Sequence, residues 1–167
     1  MLILGIDPGY ATLGYGIIEF KNGKYIPINH GAIFTSPKDN FSNRLEIIFN
    51  KVSEVLSVYK PEVTAIEKLY FQNNHKTAID VAQARGVTML SIQKQNVPIY
   101  EYTPLQVKTA VTGYGKAQKN QVMLMTQRLL RLKELPKPDD TADALAIAIC
   151  HANSQGYQSI NKHFLRA

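Results

Sequence analysis

The chain has little of what disulfide-bonded, exported or membrane-spanning proteins need. Its one cysteine, Cys150, cannot form an internal disulfide and lies in an apolar run, where we expect a buried, inert thiol. No apolar stretch is long enough and free enough of charge to cross a bilayer. The N-terminus lacks the charged lead and small-residue cleavage pattern of a signal peptide. We therefore expect a cytoplasmic protein.

Internal repeats, linkers and low-complexity segments are also missing. The 167 residues, 45% of them hydrophobic, are enough to build one domain with a sizeable core. We expect this domain to span residues 1–153. The polar and basic residues 154–167 are expected to form a flexible C-terminal tail.

Acidic residues are outnumbered by basic ones, 13 to 19, which gives a formal net charge of +6. Much of the basic excess falls in one C-terminal stretch that contains few acids: Lys108, Lys116, Lys119, Arg128, Arg131, Lys133 and Lys137. This placement favours a polyanionic partner. Most of these side chains could equally lie on solvated helix faces.

The hydrophobic periodicity predicts an α/β domain. Strands are expected at 2–7, 13–20, 24–35, 63–67 and 97–102, with an Asn22-Gly23 hairpin turn between the second and the third. Helical spacing is found at 42–59, 75–95, 104–111, 117–132 and 140–153. This order predicts a five-stranded mixed sheet, with three antiparallel strands followed by parallel ones and helices on both faces.

Two acids stand where predicted strands end. Asp7 follows an apolar run and precedes a Pro-Gly turn, and Glu67 closes the fourth strand. If these strands are adjacent and parallel, the two carboxylates meet at one edge of the sheet. Asp before Pro-Gly is also good turn chemistry, so Asp7 by itself fits a turn residue about as well as a metal ligand.

Three further aspartates, Asp139, Asp140 and Asp143, open the last predicted helix. Acids in a first helical turn satisfy free N–H groups and complement the helix dipole. Asp143, however, precedes a helix that is apolar nearly all round, so its carboxylate needs a partner. Asp139 and Asp140 both share its face, and spacing does not choose between them.

Three or four carboxylates brought together repel one another unless a cation neutralises them. Hard oxygen ligands without a Cys or His cluster favour Mg²⁺ or Mn²⁺ over zinc. Two such ions, about 3.5–4 Å apart, can activate a water and stabilise the leaving oxygen of a phosphodiester. A basic surface beside them would hold nucleic acid.

Several motifs, in order along nearly the whole chain, resemble the RuvC family of crossover junction endodeoxyribonucleases in the RNase H-like superfamily. The matching segments are Leu4-Gly5-Ile6-Asp7-Pro8-Gly9 with Gly14-Tyr15-Gly16, Ala65-Ile66-Glu67, Gln83-Ala84-Arg85-Gly86, Val107-Lys108 with Gly113-Tyr114-Gly115-Lys116, Lys119-Asn120-Gln121-Val122 and Asp140-Thr141-Ala142-Asp143-Ala144-Leu145-Ala146.

The resemblance implies an RNase H-like fold and a hydrolase of recombination and DNA repair that resolves four-way (Holliday) junctions by paired symmetric nicks. It assigns catalysis and metal binding to Asp7, Glu67, Asp140 and Asp143, and this match is why we prefer Asp140 to Asp139. It implies two Mg²⁺ ions per site, with Mn²⁺ as a substitute. It also implies a homodimer and a RuvA-RuvB branch-migration complex as partner.

Five DNA-binding residues are expected. The family's base-contacting aromatic aligns with Tyr70, and the neighbouring Phe71 could stack on an opened base instead. Lys108 and Lys119 match basic positions of the family, and Lys116 lies beside the glycine turn. Which lysine contacts the scissile phosphate stays open.

The dimer interface is expected on the helix at 75–95. The small residues Ala78, Ala82 and Gly86 share one face there, which allows close approach. The same face could instead pack on the chain's own sheet.

Three other functions compete. A non-catalytic nucleic-acid-binding module would need the basic stretch without the acids. The Ile-Asp-Pro-Gly motif and its Gly-rich hairpin also resemble the first phosphate loop of actin-like sugar kinases, which need two such domains. A relative in the same superfamily could cut RNA or RNA–DNA hybrids with the same fold.

Overall fold

The structure is a computed structural model that describes residues 1–69 and 75–164. These residues form, in chain order, β1 (Leu2–Asp7), β2 (Thr12–Lys21), β3 (Lys24–Phe34), α1 (Phe41–Tyr59), β4 (Val63–Glu67), α2 (His75–Lys94), β5 (Ile99–Tyr102), α3 (Pro104–Thr112), α4 (Lys119–Leu130) and α5 (Asp139–Phe164).

The strands form one mixed sheet in the order β3-β2-β1-β4-β5. β1, β2 and β3 are antiparallel neighbours, joined between β2 and β3 by the turn at Asn22 and Gly23. β4 runs parallel to β1, and β5 runs parallel to β4. The predicted five-stranded mixed sheet is therefore confirmed, including the adjacent parallel pair of β1 and β4.

Helices cover both faces of the sheet, as the sequence predicts. Side chains alternate along a strand, so neighbouring residues enter different cores. Ile3 and Ala65 belong to the core beneath α3, α4 and α5. Leu4 and Ile66 belong to the opposite core, beneath α1 and α2. The apolar runs in β1 and β4 are thus explained by strands that are buried on both sides.

The element boundaries differ from the sequence predictions at a few points. β5 begins at Ile99 and not at Val97, because the Val97 N–H closes the end of α2 on the Ile92 carbonyl and Pro98 has no N–H to donate. α5 continues to Phe164, beyond the predicted end at residue 153. The separation of a domain from a flexible tail there stays a prediction.

Two further expectations can be compared directly. Cys150 is buried, as expected, and burial raises the pKa of its thiol to about 12. In the ranges 1–69 and 75–164, no helix combines the length and apolar character that a bilayer crossing requires.

Candidate active site

The site begins with Asp7 and Glu67, which end β1 and β4. Ile6 is paired with Ile66 in the parallel register of the two strands, so the acids that follow lie side by side at the same edge. Gly5 is paired with Ala65, and alternation gives Asp7 and Glu67 the same face as those residues. That face is covered by α5.

The glycines of β1 and β2 allow α5 to approach the sheet closely. A Cβ atom on Gly5 would lie 2.0 Å from the Ala144 carbonyl oxygen, and one on Gly14 would lie 2.0 Å from the Asp140 carbonyl oxygen. Gly14 is also the strand partner of Asp7. Any larger residue at Gly14 would therefore push the start of α5 away from Asp7. The absence of side chains at these positions brings the α5 aspartates to the end of β1.

Charge coupling indicates that these acids lie near one another. The pKa of Asp7 is raised to about 8, first by burial and then by the charges of Asp143, Glu67 and Asp140. Lys119 acts in the opposite direction. Carboxylates that raise one another's pKa in this way form a centre of unneutralised negative charge, which favours a bound cation.

Glu67 and Asp143 show the same balance of effects. The pKa of Glu67 is raised to about 7 by burial and then by Asp143, while Lys108 and Lys119 lower it. Burial also raises the pKa of Asp143, against the opposing charge and hydrogen bond of Lys119. Two lysines therefore lie close enough to compensate part of the negative charge.

Lys119 makes the direct contacts. Its Nζ atom lies 3.2 Å from Oδ2 of Asp143 and 3.4 Å from Oδ2 of Asp139. Burial lowers the pKa of Lys119, but the two carboxylates more than offset this effect and raise it above its usual value. Asp139 thus pairs with Lys119, whereas Asp140 is the one of the two whose charge acts on Asp7.

A small cleft of about 220 Å³ connects two of the four acids with the lysines. Its lining includes Glu67, Lys108, Lys119 and Asp143. Positive and negative groups at the walls of one cleft suit a phosphodiester, whose oxygens bind cations while its phosphorus is attacked. A larger cleft of about 600 Å³ lies between β3 and α1, but none of the four candidate catalytic acids lines it.

The donor set fits a hard divalent cation by type and by charge, because all four candidate ligands are carboxylates. The side chains do not form a chelate as they stand: in the part of the chain that the structure describes, no three acidic, His or Cys side chains are grouped closely enough to hold one ion. One oxygen of Asp143 is engaged by Lys119 instead.

Not every predicted site residue lies in this cleft. Lys116 is exposed, and it forms no ion pair with an acid among the described residues. Tyr70 and Phe71 lie outside the described residues. On α2, Ala82 and Gly86 are exposed while Ala78 is half-buried, and a Cβ on Gly86 would meet nothing within 4 Å. Within the described ranges, the Gly86 position therefore does not pack on the chain's own sheet.

Two arginines that support the site were missed in the sequence analysis. Arg44 is buried, stacks 4.5 Å from the Tyr10 ring centroid and donates to the Thr35 hydroxyl over 2.8 Å, which fixes the loop after Asp7. Arg85 donates to the Glu67 carbonyl over 3.2 Å and pairs with Glu101. Arg85 belongs to the motif Gln83-Ala84-Arg85-Gly86, so the sequence already held a signal for it. Arg44 gave none.

Comparisons with known proteins agree with this geometry. The family model for crossover junction endodeoxyribonuclease RuvC matches residues 3–151. The crossover junction endodeoxyribonuclease RuvC of Clostridioides difficile (strain 630) is 52% identical over 163 residues, covering 98% of this chain and 96% of the relative. That of Caldanaerobacter subterraneus subsp. tengcongensis is 51% identical, covering 92% and 93%.

Solved structures give the same result. The Thermus thermophilus RuvC structure matches with a TM-score of 0.83 and 39% identity, covering 91% of this chain and 93% of that one. A second structure, T. thermophilus RuvC in complex with Holliday junction substrate, matches with a TM-score of 0.86 at the same identity and coverage. The yeast mitochondrial Holliday junction resolvase Ydc2, 15% identical, shares the fold with a TM-score of 0.72, covering 98% and 84%. The RNase H-like fold is confirmed, and the chain belongs to the crossover junction endodeoxyribonuclease RuvC family.

Proposed function

We propose that this chain is a Holliday junction resolvase that hydrolyses phosphodiester bonds at the centre formed by Asp7, Glu67, Asp140 and Asp143. The observation that carries the proposal is the coupling of these acids at one end of β1, β4 and α5, beside Lys108 and Lys119. Membership of the RuvC family supports the reaction, and the T. thermophilus relative in complex with junction DNA supports the substrate.

Family membership also supports metal dependence, and we propose two Mg²⁺ ions held by the four carboxylates, with Mn²⁺ as a substitute. When bound, such ions would activate the attacking water and stabilise the leaving oxygen during in-line displacement. Carboxylate oxygens are the ligands that suit these cations. The ions would also relieve the carboxylate repulsion that, after burial, raises the pKa values of Asp7 and Glu67.

The chain's own residues bind and orient the DNA. Lys108 and Lys119 line the cleft with Glu67 and Asp143, so a phosphate bound by the lysines lies next to the carboxylates. Lys116 is exposed at the turn before α4 and suits a phosphate farther along the strand. Following the family match, we propose that Tyr70 or Phe71 stacks on a base that is opened at the junction.

We further propose that the active form is a homodimer. A four-way junction has two-fold symmetry and needs two symmetric cuts, whereas one chain carries one acidic centre. The exposed face of α2 supports this arrangement. It presents Ala82 and Gly86 between Ile79, which is 66% exposed, and Leu90, which is 54% exposed. Apolar surface of this kind favours a partner surface.

The proposed role in junction processing leads to two further proposals, on a partner complex and on the cellular location. The resemblance supports a RuvA-RuvB branch-migration complex as the partner that delivers junctions to the dimer. Action on recombining chromosomal DNA is the reason for proposing a cytoplasmic protein.

A direct test compares cleavage of three substrates by the purified chain: a four-way junction, a linear duplex and an RNA–DNA hybrid, each with and without Mg²⁺. We expect paired nicks in the junction only when Mg²⁺ is present, and little cleavage of the other two. Preferential cleavage of the hybrid would instead indicate an enzyme of RNA processing. Junction binding without any cleavage would indicate a binding module.

A further inference from the structure

The position of Lys119 is not explained by its own helix. It is the first residue of α4, where the helix dipole disfavours a cation, and the first turn of α4 holds no acid. Its ammonium is held from outside the helix, 3.2 Å from the Asp143 carboxylate and 3.4 Å from that of Asp139. The charge at the start of α4 therefore depends on two acids of α5.

These two acids differ in which other acids their charges act on. Asp143 raises the pKa of both Asp7 and Glu67, so it belongs to the acidic centre. Asp139 acts on neither of these two strand acids. Among the four, its charge acts on Asp143, and its side chain is 57% exposed beside the centre. The two lie four residues apart on one face of α5. Lys119 thus bridges an acid of the proposed metal centre and an acid outside it.

We propose that Asp139 is a positioning residue for Lys119. It holds the Lys119 ammonium when Asp143 binds a divalent ion, so that the ion can replace Lys119 at Asp143. This inference rests on the proposed metal-binding role of Asp143. An ammonium and a divalent ion on one carboxylate repel each other, so ion binding weakens the contact between Lys119 and Asp143. Asp139 offers it a carboxylate within contact distance, which keeps Lys119 at the cleft, beside the path proposed for the DNA.

Of the two carboxylates that contact Lys119, only Asp143 would remain if Asp139 were removed. The Lys119 ammonium would then compete with the ion for the same oxygen. Two simpler roles make different predictions. If Asp139 only adds negative potential, its loss should weaken ion binding whatever residue stands at position 119. If the exposed ion pair has no role, its loss should change nothing, since surface pairs are usually weak.

The test is a double-mutant cycle on the affinity for Mn²⁺, read by electron paramagnetic resonance without DNA. Wild type, Asp139→Asn, Lys119→Met and the double variant are compared. We expect Asp139→Asn to weaken Mn²⁺ binding about five- to tenfold when Lys119 is present, and less than about twofold in the Lys119→Met background. Asp139→Glu should restore most of the affinity. Glu134→Gln, which removes an exposed acid from the segment before α5, is the matched control and should change the affinity little.

Equal weakening in both backgrounds, or none in either, would overturn the proposal while leaving the metal centre in place. A wild-type chain that binds no Mn²⁺ would overturn the proposed function together with this inference. The two failures are therefore distinguishable. Because both changes are on partly exposed side chains, we expect all four proteins to fold, and far-ultraviolet circular dichroism should give the same spectrum for each.

Discussion

Asp7 and Glu67 end adjacent parallel strands at the same level, because Ile6 and Ile66 before them are paired in register. Both carboxylates face α5, whose Asp143 raises the pKa of each. The sheet therefore fixes two acids of the proposed metal centre, and the packing of α5 supplies the others. Changes that disturb either part should have separable consequences.

The first prediction concerns Asp7 and the pH dependence of stability. The pKa of Asp7 in the folded chain, about 8, lies above its ordinary value of 3.8. Between these values the folded chain keeps a proton that the unfolded chain has released, so stability falls as the pH rises. In EDTA, the free energy of unfolding of Asp7→Asn should fall less between pH 4 and pH 8 than that of the wild type. At pH 7 its free energy of unfolding should exceed that of the wild type by about 1–2 kcal/mol.

Urea unfolding at several pH values measures this difference. Saturating Mg²⁺ should reverse it, because an ion that binds only the folded state stabilises the wild type and has lost a ligand in the variant. Equal pH profiles for the two proteins in EDTA would show that the pKa of Asp7 is not raised in the folded chain.

The second prediction concerns the close approach of α5 to the sheet. The added Cβ of Gly14→Ala would lie 2.0 Å from the Asp140 carbonyl oxygen, a backbone atom that cannot move without shifting the helix. We expect a loss of about 1–3 kcal/mol in unfolding free energy and a large loss of junction cleavage. Ala11→Ser, which adds one atom to an exposed side chain in the neighbouring loop, should leave both unchanged.

The third prediction concerns DNA binding. Replacing Lys108, Lys116 or Lys119 by Ala should reduce the slope of log affinity against log salt by about one unit each. Lys24→Ala is the control, since Lys24 begins β3 at the far edge of the sheet from Asp7. Junction binding measured over a range of salt concentrations gives the slopes. If the triple variant keeps the wild-type slope, these lysines cover a solvated face and do not contact phosphates.

The fourth prediction concerns the dimer. Leu90→Glu places a charge on the exposed face of α2 and should shift the chain towards monomer in sedimentation experiments at micromolar concentration. Val58→Glu places the same charge on an exposed position of α1 and should leave the assembly unchanged. A wild-type chain that is monomeric both free and on junction DNA would exclude the dimer, and paired incision would need another explanation.

Much of the fold follows from local patterns in the sequence. The meander of β1 to β3 is encoded by alternation and by the Asn22-Gly23 turn, and the parallel pairing of β4 with β1 follows from the α1 crossover. The end of α5 could not be predicted in the same way. Its polar continuation past residue 153 lacks the apolar periodicity on which the prediction depends.

The site was less accessible to sequence reasoning than the fold. The predicted strand ends identified Asp7 and Glu67 as candidates. Spacing alone did not distinguish Asp139 from Asp140, because both share a helix face with Asp143. The structure separates them, as Asp140 acts on Asp7 and Asp139 on Lys119. That difference depends on how α4 packs on α5, which is a tertiary contact with no local signal.

The most direct measurement is the rate of Mg²⁺-dependent junction cleavage by single variants of the four acids, with binding measured in parallel. Asp7→Asn should lower the rate by ~10³-fold or more and keep the junction affinity, since phosphate contacts dominate binding. Glu67→Gln, Asp140→Asn and Asp143→Asn should behave alike. Asp139→Asn should cost little at saturating Mg²⁺. If Asp7→Asn cuts junctions at the wild-type rate, the carboxylates at the ends of β1, β4 and α5 are not the catalytic centre.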